Sequence, residues 1–192
     1  MATHLLHSEK NCFYFVTFTC YNWLPIIDQC NLYEYLPKWS ENLSKKGCRI
    51  SGYVIMPNHI HLLVFVEPSS KGLNSIIGEA KRFMSYEIIK RLKLAGKFKL
   101  LNQLSIAVTL LDAKKGQKHV VFKPSFDAKE VRGDLEINKV LDYMHFNPVS
   151  GKWQLVENYL DYKYSSASYY ELGEKSNLTL IDYRTILRVF CE

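Results

Sequence analysis

Two histidines, His59 and His61, flank a single isoleucine in the stretch Pro57-Asn58-His59-Ile60-His61-Leu62-Leu63-Val64. If that stretch is a β-strand, side-chain alternation turns both imidazoles to one face and Ile60, Leu62, Val64 and Val66 to the other. Neutral imidazole is a good ligand for divalent metals, so a same-face pair is the beginning of a metal site. A pair of structural, hydrogen-bonded histidines fits the same string, and an HxH string alone favours that simpler reading. The tight turn before the pair and the apolar strand around it shift the balance toward metal.

Two imidazoles do not complete a site. Tyr143 and Asn147 stand four residues apart in a segment of helical periodicity, so they share one helix face. On a helical wheel they fall beside the apolar stripe of Ile137, Val140, Leu141 and Met144, where both could look into a cleft next to the core. An amide oxygen suits a hard cation such as magnesium or manganese. A neighbouring cation also favours an ionised phenol, which would make Tyr143 a nucleophile. With thirteen tyrosines in the chain, composition alone does not select this one. His145 projects elsewhere on the helix and is expected to be structural.

The elements that must position these residues follow from hydropathy. Phe13 to Cys20 (FYFVTFTC) is aromatic and β-branched and predicts a strand. From Asp28 to Ser44, Leu32, Tyr35, Leu36, Trp39 and Leu43 recur with helical spacing, and Pro37 should kink that helix or mark its true start. Arg49 to Met56 and His59 to Val66 flank a Pro-Asn turn and predict an antiparallel hairpin. Leu73, Ile76, Ile77, Ala80, Met84 and Ile88 mark a second helix, and Leu135 to Phe146 a third, stopped by Pro148. Leu104 to Leu111 and Val120 to Lys123 are expected as strands around a Lys114-Lys115-Gly116 turn. This order predicts an α+β, ferredoxin-like sandwich: an antiparallel sheet with helices on one face and the histidine pair on a central strand. The chain reads as a single domain over 1–192, with 172–192 as a C-terminal extension.

Charge narrows the partner. The chain carries a formal net +6, and residues 71–100 hold eight basic side chains against two acidic ones. Such a concentration on one helix points to a polyanion, nucleic acid first, or else to a solvated lysine-rich surface. Lys81, Arg82, Lys90 and Arg91 are the candidate phosphate contacts. No apolar run is long enough for a membrane span, and Met1 to Lys10 lacks the apolar stretch of a secretory signal, so a cytoplasmic protein is expected. Five scattered cysteines without a CxxC pair predict reduced thiols rather than a disulfide framework or a cysteine zinc site.

Two strings taken together, Tyr53 to Val64 (YVIMPNHIHLLV) and, some eighty residues later, Tyr143 to Trp153 (YMHFNPVSGKW), resemble the single-tyrosine HUH transposases, closest to the REP-associated tyrosine transposase branch. FYFVTFTC near the start and Ser165-Ser166-Ala167 after the Asn147-Pro148-Val149 triplet are similar as well, so the resemblance spans roughly residues 10–171. It implies an HUH motif at His59, Ile60 and His61, a catalytic tyrosine at Tyr143, and a divalent metal (Mg2+ or Mn2+) held by His59, His61 and Asn147. It further implies cleavage and rejoining of single-stranded DNA through a 5'-phosphotyrosine, at hairpin-bearing sites such as REP-like sequences or insertion-sequence ends. The protein would act as a monomer or homodimer. Residues 100–120 look longer than the family's connection, VFKPSFD (121–127) stands where a tryptophan is often found, and nothing after Glu174 matches.

Three competing readings are weaker. Histidine-triad hydrolases need a third alternating histidine, and position 63 is Leu63. Relaxases and replication initiators share the HUH logic but usually carry longer chains and often a second tyrosine. A domesticated, non-catalytic hairpin-binding protein of the same fold would not need all four of His59, His61, Tyr143 and Asn147.

Overall fold

The computed structural model describes residues 9–190. Its centre is a four-stranded antiparallel sheet in the order β2-β3-β1-β4. Here β1 is Cys12–Thr19, β2 Cys48–Ile55, β3 His59–Val66 and β4 Asp127–Val131. Between β1 and β2 lie α1 (Ile26–Gln29) and α2 (Leu36–Ser44), and between β3 and β4 lie α3 (Leu73–Leu94), α4 (Phe98–Ile106) and α5 (Leu110–Lys114). After β4 come α6 (Gly133–His145), α7 (Ala167–Leu172) and α8 (Tyr183–Phe190). Strand–helix–strand–strand–helix–strand with this strand order is the ferredoxin-like α+β arrangement, and β3, which bears the histidine pair, is a central strand.

Alternation along the two central strands explains the layers. Tyr14, Val16 and Phe18 of β1 join Ile60, Leu62, Val64 and Val66 of β3 in the core beneath α1–α3. Phe13 of β1 joins Leu63 and Phe65 of β3 in a second core on the opposite face. That second face is not bare: Ile137, Leu141 and Met144 of α6 and Tyr183 and Ile186 of α8 cover it. The helices therefore occupy both faces, rather than one as the sequence had suggested. The reason lies in the strands, which are apolar on both sides: every residue of β3 is buried, and an apolar face left open would cost about 25 cal/mol per Å2.

Pro37 falls in the first turn of α2, where its missing N–H has no partner to lose, so it marks the helix start. The hairpin joining β2 and β3 has the expected register, with Ile55 opposite Ile60. The strands expected at 104–111 and 120–123 are not formed. Residues 98–106 and 110–114 are helical, with Leu101 and Leu104 buried and Ile106, Leu110 and Leu111 exposed. Phe122 makes only an isolated bridge to Cys20. The fourth strand is the polar segment Asp127–Val131, an edge strand whose charges discourage further pairing.

Residues 172–190 pack onto the body. The Ile181 amide donates to the Ile50 carbonyl, and the Tyr183 hydroxyl bonds Asp134 and Asn138 of α6. Cys12, Cys20, Cys30 and Cys48 are free thiols, and burial pushes Cys20 and Cys48 up to about 12, which leaves both unreactive. His4, His7 and Cys191 lie outside the described residues. Among the described residues no helix is long and apolar enough to cross a membrane.

Candidate active site

His59 and His61 project from β3 to the face covered by α6, with ring centroids 4.7 Å apart. Both are largely buried, at 7% and 5% exposed. Each ring is fixed through Nδ1. His59 Nδ1 lies 2.6 Å from Asn58 Oδ1, and His61 Nδ1 lies 2.7 Å from Thr17 Oγ1, its cross-strand neighbour on β1. The first contact sets a tautomer. Asn58 Nδ2 donates to the Trp23 carbonyl at 3.0 Å, so Oδ1 is the amide atom facing His59. An amide oxygen only accepts, hence His59 Nδ1 carries the proton and Nε2 keeps its lone pair. Burial lowers the His59 pKa to about 4. Burial, reinforced by His59 and opposed by the Asn147 side chain, lowers that of His61 to about 3. Both imidazoles are therefore neutral at physiological pH, the state a metal requires.

The helix brings the other two groups. The Tyr143 ring stands edge-on to His61 at 5.7 Å between centroids and edge-on to Phe15 at 5.8 Å, and the side chain is 58% exposed. Asn147 follows the end of α6, in the turn Asn147–Val149. Its Nδ2 donates to the Tyr143 carbonyl at 2.7 Å, and its side chain comes close enough to His61 to hold that imidazole's pKa up against burial. All four residues singled out by sequence thus converge within one chain. Among the described residues no cluster of three His, Cys, Asp or Glu could hold a metal. Two imidazoles and one amide oxygen remain as the donor set, and they suit a divalent cation that keeps open positions for water or phosphate.

The Ser165-Ser166-Ala167 stretch explains how α6 is held there. Ser166 Oγ accepts from the Tyr53 amide of β2 at 2.9 Å and lies 2.9 Å from Nε2 of the buried His145. The backbone on either side pairs with β2, through Ile55 N to Tyr164 O and Ser166 N to Tyr53 O. One serine thus ties the strand next to the histidine strand to the helix that carries Tyr143.

The basic residues divide. Lys81 was expected to meet phosphate but is 9% exposed, and its ammonium donates to the carbonyls of Lys123, Pro124 and Ser125 at 2.7, 3.1 and 3.0 Å. Burial lowers its pKa to about 8. It holds a loop rather than a ligand. The sequence pattern misled because Lys81 abuts the apolar stripe through Ala80 and Met84, and its stem follows them inward. Arg91 is tied to Glu87 and Glu34 and donates to the Asn31 carbonyl. Arg82 and Lys90 remain exposed. Lys81→Met is expected to cost about 1–3 kcal/mol of stability by leaving acceptors without a donor, and to touch the salt dependence of DNA binding only indirectly, through the 123–125 loop that it grips. Arg82→Ala and Lys90→Ala should each reduce that salt slope by about one. Fluorescence anisotropy across a salt series measures both.

Sequence reasoning also passed over two residues beside the imidazoles. Trp23 stands edge-on to His59 at 5.8 Å between centroids, and Lys123 Nζ lies 4.5 Å from the centre of the Trp23 ring. No motif marks them: Lys123 falls at the end of an expected strand and within the 121–127 stretch that departs from the family.

An antiparallel ferredoxin-like sheet, with an imidazole pair on a central strand and a helix-borne phenol docked against it, defines the class of the molecule. The chain belongs to the IS200-like transposase family, whose model matches residues 9–147. Its fold is similar to that of a REP-associated tyrosine transposase solved bound to a REP hairpin, with a TM-score of 0.58 and 16% identity over 91% of this chain and 87% of that one. A candidate transposase from Deinococcus radiodurans aligns over 74% of this chain and 95% of its own, with 13% identity and a TM-score of 0.39. No curated protein matches the chain.

Proposed function

We propose that this protein cuts and rejoins single-stranded DNA at hairpin-bearing sites, with Tyr143 as nucleophile and a divalent metal held by His59, His61 and Asn147. The observation that carries the reading is the meeting of Tyr143 and Asn147 with His61 in one chain, although about eighty residues separate them in sequence. When bound, magnesium or manganese would polarise a non-bridging oxygen of the scissile phosphate. Tyr143 Oη attacks phosphorus as the bond to the 3'-oxygen breaks. The phenolic proton leaves at the solvent-exposed ring, and the 3'-oxygen takes up a proton. The product is a 5'-phosphotyrosine and a free 3'-hydroxyl. The phosphodiester energy is retained, so an incoming 3'-hydroxyl can reverse the step and join strands without ATP. Thr17 and Asn58 fix the imidazole rings, and the Ser166 clasp fixes the helix, so nucleophile and ligands are positioned before DNA arrives.

The REP-associated relative of similar fold binds a REP hairpin, which supports an imperfect hairpin in single-stranded DNA as the substrate class. Incubating the protein with a 5'-labelled and a 3'-labelled hairpin oligonucleotide and manganese should yield a denaturant-resistant protein–DNA adduct with only one of the labels, the one 3' of the cut. EDTA should abolish it. His59→Ala should weaken calorimetric manganese binding at least about tenfold. An adduct equally strong in EDTA would overturn the metal assignment. No adduct with any hairpin substrate, together with retained binding, would leave a hairpin-binding protein.

A further inference from the structure

Asn22 and Trp23 both have left-handed backbones, with φ of 49° and 57°. For a bulky residue such as tryptophan this conformation is a true outlier, and strain of this kind persists where surrounding contacts enforce it, often at ligand sites. Here the enforcing contacts are visible. The Trp23 amide donates to the Cys20 carbonyl, its carbonyl accepts from Asn58 Nδ2, and Asn58 Oδ1 accepts a hydrogen bond from His59 Nδ1. Strand end, tryptophan and imidazole are thus wired together through one buried asparagine.

The result is an indole that packing does not explain. Trp23 is 50% exposed, although it sits beside a buried histidine. The Lys123 ammonium lies over its ring at 4.5 Å. Lys123 is itself anchored by its amide to the Thr19 carbonyl at 2.9 Å, and the buried Lys81 grips the carbonyls of 123–125 behind it. A rigid aromatic surface with a fixed cation, next to the imidazole pair, is the combination that recognises a nucleobase and its phosphate.

We propose that Trp23 is a stacking platform for one unpaired nucleobase next to the phosphate that lies at the imidazole pair, with Lys123 serving the adjoining phosphate. This deepens the nuclease reading and rests on it for the location of the phosphate. Stacking reads a π-face rather than a base edge, so the platform holds any base and sets the register of the strand rather than its sequence. Lys81, through the loop it grips, acts as a positioning residue for Lys123.

The test titrates a labelled oligodeoxythymidylate into Tyr143→Phe protein, which keeps covalent chemistry out of the measurement. Trp23→Ala should weaken binding about tenfold, and Trp23→Phe should stay within about threefold of the parent. Trp23→Leu, which keeps apolar bulk without a π-face, should behave like the alanine variant and guards against a folding defect, which thermal melting reports directly. DNA-induced quenching of tryptophan fluorescence should be largely lost in Trp23→Phe. A single abasic site walked along the single-stranded flank of a hairpin oligonucleotide, whose duplex fixes the register, should remove the difference between Trp23 and Trp23→Leu at one position only. Equal affinities for Trp23 and Trp23→Leu, or a difference that persists at every abasic position, would overturn the platform. If wild-type protein forms an adduct while Trp23 variants bind normally, the platform fails and the nuclease reading stands. If stacking is found but no adduct forms, the reverse holds.

Discussion

Tyr143→Phe is expected to eliminate the covalent DNA adduct and to lower strand cleavage by about a thousandfold or more, while leaving the fold and the affinity for hairpin DNA unchanged. The argument is local. The ring is 58% exposed, and its contacts with Phe15 and His61 are made through the ring, not the hydroxyl. Asn147 bonds the Tyr143 backbone carbonyl, which the substitution keeps. Removing one oxygen from an exposed ring should change stability by no more than about 0.5 kcal/mol. Gel mobility under denaturing conditions reads the adduct, and a melting curve reads the fold. An adduct that survives, mapped by mass spectrometry to another peptide, would move the nucleophile to another tyrosine and sink the assignment.

α6 lies against the histidines of its own chain. Several contacts fix that placement: the Ser166 clasp to β2, the Tyr183 hydroxyl on Asp134 and Asn138, and the apolar seam of Ile137, Leu141 and Met144. Two of these anchors come from residues after Pro148, so the C-terminal part of the chain positions the helix even though it carries none of the chemistry.

What could be read from sequence was whatever depends on strong local period. β3 alternates around His59 and His61, and α3 and α6 carry long apolar stripes, so their existence and the facing of their side chains were legible. The segment 98–114 was not. Leu100, Leu101, Leu104, Ile106, Val108, Leu110 and Leu111 are dense and partly β-branched, which resembles strand, yet only Leu101 and Leu104 are buried, one helical turn apart. β4 was invisible for the opposite reason: Asp127, Lys129 and Glu130 are edge-strand charges, and only its pairing with β1 defines it. Lys81 shows the limit of charge reading, since the count of basic residues in a helix does not say which ammonium turns inward to a carbonyl nest. Trp23 and Gly52 bear on the site only through neighbours distant in sequence, so nothing local announces either.

Gly52 gives the second large expected effect. It lies in β2, directly under α6, where a Cβ would fall 2.5 Å from Leu141 Cδ2 and 3.0 Å from Met144 Cε. The side chains that would have to yield are themselves buried in the seam beneath Tyr143. A methyl group could be met by rotating Leu141, but the branched side chain of Gly52→Val would force the helix outward. Overpacking of this kind costs about 1–3 kcal/mol, occasionally more, which is roughly 3–10 °C in Tm for a chain of this size. The greater effect should fall on chemistry, because displacement of a catalytic group by about 1 Å can cost on the order of a hundredfold in rate. Gly52→Val should therefore cut adduct formation about a hundredfold at temperatures where the protein is still folded, with manganese binding through His59 and His61 weakened far less. Adding Leu141→Ala returns the space and should recover much of both losses, so the two substitutions should be strongly non-additive. Strict additivity, or a stability loss with unchanged adduct yield, would mean that the contact between β2 and α6 does not set the position of Tyr143.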